Sequence, residues 1–216
     1  MRTLEGNIEV VKSGAPLPTF DFQCPIMSLP LAFKTTVDMI PADVPYLFSN
    51  VDKQKEWKER LGVKTKLRVG LVCSGSTTHQ DDSKRSIPLK FMSELLNLPF
   101  EFHIVQKEIR PDDAEVLVEF PHVKIHHENL IDFSDTAALI NEMDIIISVD
   151  TSVAHLAGAL GKPVWILLSW VPDFRWLLDR TDSPWYPTAT LFRQPELGNW
   201  ERVIDDVCQR LKDQFL

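Results

Sequence analysis

Hydrophobic residues along this chain fall into short runs separated by polar segments, and the period of the pattern changes from run to run. Leu67 to Cys73, Phe100 to Val105, Ile145 to Ile147 and Val164 to Leu168 are nearly continuous and rich in β-branched residues, which predicts strands buried on both faces. Val123 to His126 and Ala189 to Phe192 predict two shorter strands. Helical spacing fills the gaps. Pro88 to Leu96 carries proline in a first turn, a helix starts near Pro111, and Ser134 or Asp135 opens another that runs to Met143. Val153, Leu156, Ala157 and Leu160 recur at helical spacing before Gly161 and Pro163 end that segment. On a last helix, capped by Asn199, the residues Trp200, Val203, Ile204, Val207, Cys208, Leu211 and Phe215 form one apolar face. Strands alternating with helices predict an α/β fold: a Rossmann-like open parallel sheet with helices on both faces.

The first 50 residues break this rhythm. They hold Pro16, Pro18, Pro25, Pro30, Pro41 and Pro45 and no long periodic segment, so an irregular segment is expected. Its Phe20, Phe22, Ile26, Met27, Leu29, Leu31 and Phe33 are too many for a disordered tail and call for a surface to cover them. Either the segment folds back on the domain or it pairs with a second copy; a homodimer through this segment is the favoured expectation. A helix from about Lys53 to Leu61, stopped by Gly62, leads into the regular part, giving a division into residues 1–65 and 66–216.

Composition narrows the class. The 216 residues suffice for one full α/β domain, and two complete Rossmann-like domains do not fit comfortably. A net charge of −8 argues against a general affinity for nucleic acid or acidic membrane surfaces, so any anion must be held locally. Cys24, Cys73 and Cys208 form neither a disulfide framework nor a CxxC pattern, which suits a reducing compartment. The stretch MRTLEGNIEVVKSG lacks the apolar core of a signal peptide, and no apolar run approaches the ~18 residues of a membrane span. A cytoplasmic protein is expected.

Open sheets of this kind take ligands outside the carboxyl ends of their strands. The strand around Ile146 ends at Asp150-Thr151-Ser152 and turns directly into a helix, leaving backbone N–H groups that favour an anion. Thr151 and Ser152 add hydroxyls, and His155 lies one turn further on. A plainer reading makes Asp150 to Ser152 an ordinary helix cap. In the polar loop SGSTTHQDDSKRS after Cys73, Ser74 and Gly75 are small enough for the backbone to approach a phosphate closely, although neither GxGxxG nor a Walker sequence is present.

The string DTSVAHLAGALGKPVWIL resembles the nucleotide-sugar motif of the heptosyltransferase-like GT-B glycosyltransferases. With LPTFDFQCPIMSLPLAF, IPADVPYL, SKRSIPL, DFSDTAALI and DSPWYPTATLFRQ, the chain most resembles the glycosyltransferase-like domain at the C-terminus of bacterial tetratricopeptide-repeat proteins. The resemblance implies the C-terminal half of a GT-B fold, holding the diphosphate of a nucleotide sugar. Residues 1–65 then correspond to the end of the N-terminal domain and the linker. It also implies that Arg85, three positions before Pro88, contacts the donor diphosphate, and that Gln106 lies near the base or ribose. The plainer alternatives are a solvated charge pair at Lys84 and Arg85 and an exposed polar strand end at Gln106. In related enzymes the base for the acceptor hydroxyl belongs to the N-terminal domain, so no catalytic residue is named. The expected function is donor binding for glycosyl transfer. The alternatives are a non-catalytic nucleotide or nucleotide-sugar binding module and, in third place, a non-hydrolysing sugar epimerase. No metal is expected, because no carboxylate cluster suited to Mg²⁺ accompanies the phosphate site.

Other groupings carry less. His126 and His127 are neighbours in a short strand and face opposite sides, so with His122 they make a poor metal site. Cys73 near His79 has the composition of a thiol–imidazole dyad, but a cysteine within an apolar strand reads as inert core, and CSGS lacks the GxSxG elbow. In SWVPDFRWLLDRTDSPWYP, which holds Trp170, Asp173 and Arg175, Trp176 reads as packing and Trp185 stays open between packing and stacking on a ligand.

Overall fold

A computed structural model describes residues 7–216, so the first six residues of the MRTLEGNIEVVKSG stretch lie outside it. In chain order the elements are α1 (Leu29–Ala32), α2 (Val51–Leu61), β1 (Arg68–Val72), α3 (Asp82–Arg85), α4 (Ser93–Leu96), β2 (Glu101–Ile104), α5 (Pro111–Glu119), β3 (Lys124–Ile125), α6 (Phe133–Asn141), β4 (Ile145–Val149), α7 (Ser152–Ala159), β5 (Val164–Leu168), β6 (Ala189–Arg193) and α8 (Trp200–Phe215). Short 3₁₀ turns join several of them. All strands pair in parallel, in the order β3-β2-β1-β4-β5-β6. Two halves diverge from the middle of such a sheet, and the point where the order reverses, between β1 and β4, opens a crevice at their carboxyl ends.

Side chains from successive strand positions leave by opposite faces, and the core divides accordingly. Val69, Leu71, Ile145, Ile147, Trp165 and Leu167 pack under the apolar stripe of α8. Val72, Ile146, Val164, Ile166 and Leu168 pack with Trp57 and Leu61 of α2, Leu139 and Ile140 of α6, and Ala154 and Ala157 of α7. Helices therefore cover both faces, which is why β1, β4 and β5 are buried along their whole length.

Helix boundaries follow local chemistry. Asn50 opens α2 by accepting the N–H groups of Asp52 and Lys53, and Gly62 ends it at φ 70°. Asp132 and Asp135 form a reciprocal capping box at α6, so that helix opens slightly before the expected Ser134 or Asp135 and ends before Met143. Asn199 caps α8 through the N–H of Arg202, as expected. The single helix expected over Pro88–Leu96 is instead a 3₁₀ turn, Leu89–Met92, running into the one-turn α4. There the Asp113 carboxylate takes the Leu89 N–H at 2.8 Å, and Pro88 stays extended just outside the turn.

The N-terminal segment is irregular, with short turns only. Val44 and Leu47 join the core under α7, and the N–H groups of Tyr46 and Leu47 both donate to the Ala159 carbonyl. Phe20, Phe22, Ile26, Met27, Leu31 and Phe33 remain exposed. Residues 17–39 thus do not fold back to cover their apolar side chains. Among the described residues no helix is long and apolar enough to cross a membrane.

Candidate functional site

At the switch point β4 delivers Asp150, Thr151 and Ser152. Thr151 stands at the N-cap position of α7, but its hydroxyl turns inward to that of Ser148 (3.1 Å) and caps nothing. The first N–H groups of α7 are therefore left without a side-chain acceptor, unlike those of α2, α6 and α8. Thr151 thus occupies the cap position without performing the cap.

Arg85 completes the turn from the other side. Its Nη1 donates to the Asp150 carbonyl at 2.9 Å, and its Nε is buried without a partner. The side chain is held rather than being a free loop charge, because it comes from α3, a turn the sequence reading missed inside the polar loop. The role of Gly75 also differs from expectation. A Cβ there would stand 2.5 Å from Arg85 Nη2, so the close approach that glycine permits is made by the guanidinium itself. The Gly75 N–H donates to Ser86 Oγ, and that of Ser74 to Gln106 Oε1 (3.3 Å). The loop after β1 therefore has these two N–H groups engaged, and the free donors lie at α7.

Gln106 is buried, contrary to the plainer reading. Its Oε1 accepts the N–H of Cys73 at 2.9 Å as well as that of Ser74, while its Nε2 donates to Ser74 Oγ (3.0 Å) and to the Glu108 carbonyl (2.8 Å). With its amide fully engaged, Gln106 clasps the loops after β1 and β2 and holds Ser74 at the crevice.

His155 lies on the same helix face. It stacks on Trp176 (centroids 5.1 Å apart, planes 18° from parallel), and its Nδ1 sits 3.1 Å from the Tyr186 hydroxyl. Its Nε2 is 3.7 Å from an Asp150 oxygen. Burial lowers the pKa of this imidazole, and the Asp150 carboxylate opposes that shift. Gly158 lets Tyr186 approach, since a Cβ there would come within 2.4 Å of the phenol ring.

Two cavities meet at Arg85, Thr151 and Ser152. One, of about 560 Å³, runs over the ends of β1 and β2 and is walled mainly by Val105, Leu130, Ile131, Phe133 and Val153, with Ser74, Gly75 and Gln106 at its rim. The other, of about 890 Å³, runs over β5 and β6 and is bordered by Asp150, His155, Asp173, Arg175 and Gln194. All eight expected site residues, Ser74, Gly75, Arg85, Gln106, Asp150, Thr151, Ser152 and His155, line one or both cavities. Missed were the apolar walls, Phe133 and Val153, and the polar Gln194. Position directly after β6 would have pointed to Gln194.

The other groupings resolve as structure. Trp176 is fully buried, and Trp185 donates its indole N–H to the Arg175 carbonyl. Burial pushes the Cys73 thiol up to about 12, with the Asp113 carboxylate adding to the shift, so Cys73 carries no thiolate at neutral pH. His126 pairs with His103 inside the domain, and His122 bonds the Leu96 carbonyl. Among the described residues no three His, Cys, Asp or Glu side chains converge as metal ligands.

Fold and site together define a Rossmann-like α/β domain whose switch point carries a helix start without a side-chain cap, beside Arg85. Residues 129–169, which hold α6, β4, α7 and β5, match the model of Glycosyltransferase family 9 (heptosyltransferase). The chain is 26% identical over 208 residues to Protein FlbA of Caulobacter vibrioides, covering 90% of this chain and 33% of that protein. Its fold is similar to E. coli ADP-heptose LPS heptosyltransferase II, with a TM-score of 0.51 and 12% identity, covering 83% of this chain and 58% of that one. The glycosyl transferase family 9 structure from Veillonella parvula gives a TM-score of 0.47 and 13% identity, covering 74% of this chain and 46% of that one. The chain thus spans a third of the first relative and somewhat over half of the E. coli structure.

Proposed function

We propose that this chain is the donor-binding domain of a GT-B glycosyltransferase, holding the diphosphate of a nucleotide sugar at the start of α7. The observation that carries the reading is the Asp150–Ser152 turn: helix N–H groups without a side-chain cap, with the guanidinium of Arg85 fixed beside them. Charge grows on a nucleoside diphosphate as its bond to a sugar breaks, and oriented N–H groups with a guanidinium stabilise it. The mostly apolar cavity over β1 and β2 suits a base, with Phe133 as a stacking surface. The match of residues 129–169 to the family 9 model supports the reading, because it contains the turn. The strings quoted above further suggest a domain of the kind found at the C-terminus of tetratricopeptide-repeat proteins.

Calorimetric titration of wild type and Arg85→Ala with ADP, UDP and GDP tests the reading. Loss of charge-assisted hydrogen bonds should weaken the preferred diphosphate about tenfold to a hundredfold. Because Arg85 also bonds the Asp150 carbonyl, a stability loss of about 1 kcal/mol accompanies it. Wild-type binding should persist in chelator. An unchanged affinity in a folded Arg85→Ala variant, or no binding of any of the three by wild type, rejects the reading.

The exposure of Phe20, Phe22 and Phe33 supports a homodimer through the N-terminal segment. Sedimentation at high concentration should show it, and a clean monomer removes it.

A further inference from the structure

The cavity over β5 and β6 contains a polar group that the diphosphate site leaves unused. Gln194, one residue beyond β6, is 4% exposed and forms part of the cavity wall. Its Oε1 accepts the N–H groups of Trp170 (2.9 Å) and Gly198 (3.3 Å), which fixes the orientation of the amide, because a flipped amide would set donor against donor. Nε2 is consequently the end left over, and it is buried with no partner. A buried amide donor held in one orientation without an acceptor is costly unless an oxygen from water or from a ligand completes it.

The surroundings indicate the class of ligand. Asp173, whose carboxylate accepts the Arg175 N–H and pairs with its guanidinium at 3.2 Å, borders the cavity, as does Asp150. Carboxylate acceptors sharing one cavity with an amide donor and a guanidinium match a ring carrying several hydroxyls, each of which both donates and accepts. The neighbouring cavity also has charged residues on its border, but its walls are mainly apolar and its amide, Gln106, is fully engaged by protein partners. Since the two cavities join at Thr151 and Ser152, a group attached beyond the diphosphate enters the one that holds Gln194.

We infer that Gln194 is a specificity-determining residue for the glycosyl group, donating from Nε2 to a ring hydroxyl oxygen while Asp173 accepts from the ring. This rests on the donor-binding reading above and names the sugar-selecting part of that site. The juxtaposition that carries it is one buried, oriented and unpartnered amide donor with two carboxylates around a cavity continuous with the anion turn.

The test compares each of ADP-glucose, UDP-glucose, UDP-N-acetylglucosamine and GDP-mannose with its parent diphosphate, on the full chain. Gln194→Glu keeps an oxygen for the Trp170 and Gly198 N–H groups and loses the donor. Asp173→Asn keeps an oxygen for the Arg175 N–H and loses the carboxylate. Wild type should prefer one sugar over the others. Each variant should weaken that nucleotide sugar about tenfold or more while its parent diphosphate stays within about twofold. Should Gln194→Glu fail to fold, Asp173→Asn gives the same comparison alone. Equal losses for sugar and diphosphate, no loss for either, or no preference among sugars in wild type overturns the assignment of Gln194 and leaves the diphosphate site standing. Failure of every diphosphate to bind wild type removes both.

Discussion

Acidification from about pH 6.5 to about pH 4 is expected to remove several kcal/mol of stability through one buried pair of histidines outside the lining of the proposed site. His103 and His126 are buried, stacked with centroids 5.3 Å apart, and joined Nδ1 to Nε2 at 3.0 Å. The tautomers follow from the partners. Glu101, whose burial works against ionisation but which Lys124 and Arg68 hold ionised, can only accept, so His103 Nε2–H donates to it at 3.0 Å. His103 Nδ1 is then the acceptor, and His126 Nε2–H donates to it. A proton added to His103 destroys that acceptor. Burial holds both imidazoles down at about 4, and for His103 the neighbouring His126 adds to the effect. The unfolded chain takes up these protons near pH 6.5. Stability is therefore fully present above about 6.5 and is lost as the pH falls toward 4, by about 3 kcal/mol or more for the pair. Urea midpoints across this range measure the loss. His126→Gln should be less stable at neutral pH and visibly flatter with pH. An unchanged slope in that variant assigns the acid sensitivity to other groups.

Trp176→Ala should have a comparable effect at neutral pH, about 3–5 kcal/mol, since the indole is fully buried. The loss extends to the site, because the indole is the plane on which His155 stacks, and the affinity for a nucleoside diphosphate should fall with it. Trp176→Phe keeps an aromatic plane and deletes an indole N–H that is buried without a partner, so its cost should be much smaller. Melting temperatures of the two variants, with and without nucleotide, separate packing from positioning. A ligand affinity unaltered in a folded Trp176→Ala protein would disconnect Trp176 from the site.

The sheet was legible because its strands are uninterrupted apolar runs, a pattern with few other homes. The turn at Asp150–Ser152 was legible for the same reason: the run ends abruptly and helical spacing begins at once. Residues whose role depends on distant partners were harder to read. Gln106 looks like any polar residue ending a strand until Cys73 and Ser74 are brought beside it from another strand. Gly75 reads as room for a phosphate, and only the position of α3 reveals that Arg85 fills that room. Gln194 has a legible position, directly after β6, but its orientation is set only when the Trp170 and Gly198 N–H groups meet its Oε1. Covalent sequence encodes periodicity directly and encodes long-range polar pairing only through the completed fold.

The double hydrogen bond from Tyr46 and Leu47 to the Ala159 carbonyl ties the N-terminal segment to the far end of α7, opposite the uncapped start. That helix has eight residues, about 12 Å of rigid rod. Its two ends thus connect an exposed, unpartnered segment to the start of the crevice, with Tyr186 beside His155 and against Gly158 as a lateral stop. The same short helix, packed into the core through Ala154 and Ala157, therefore anchors the N-terminal segment at one end and presents the Asp150–Ser152 turn at the other.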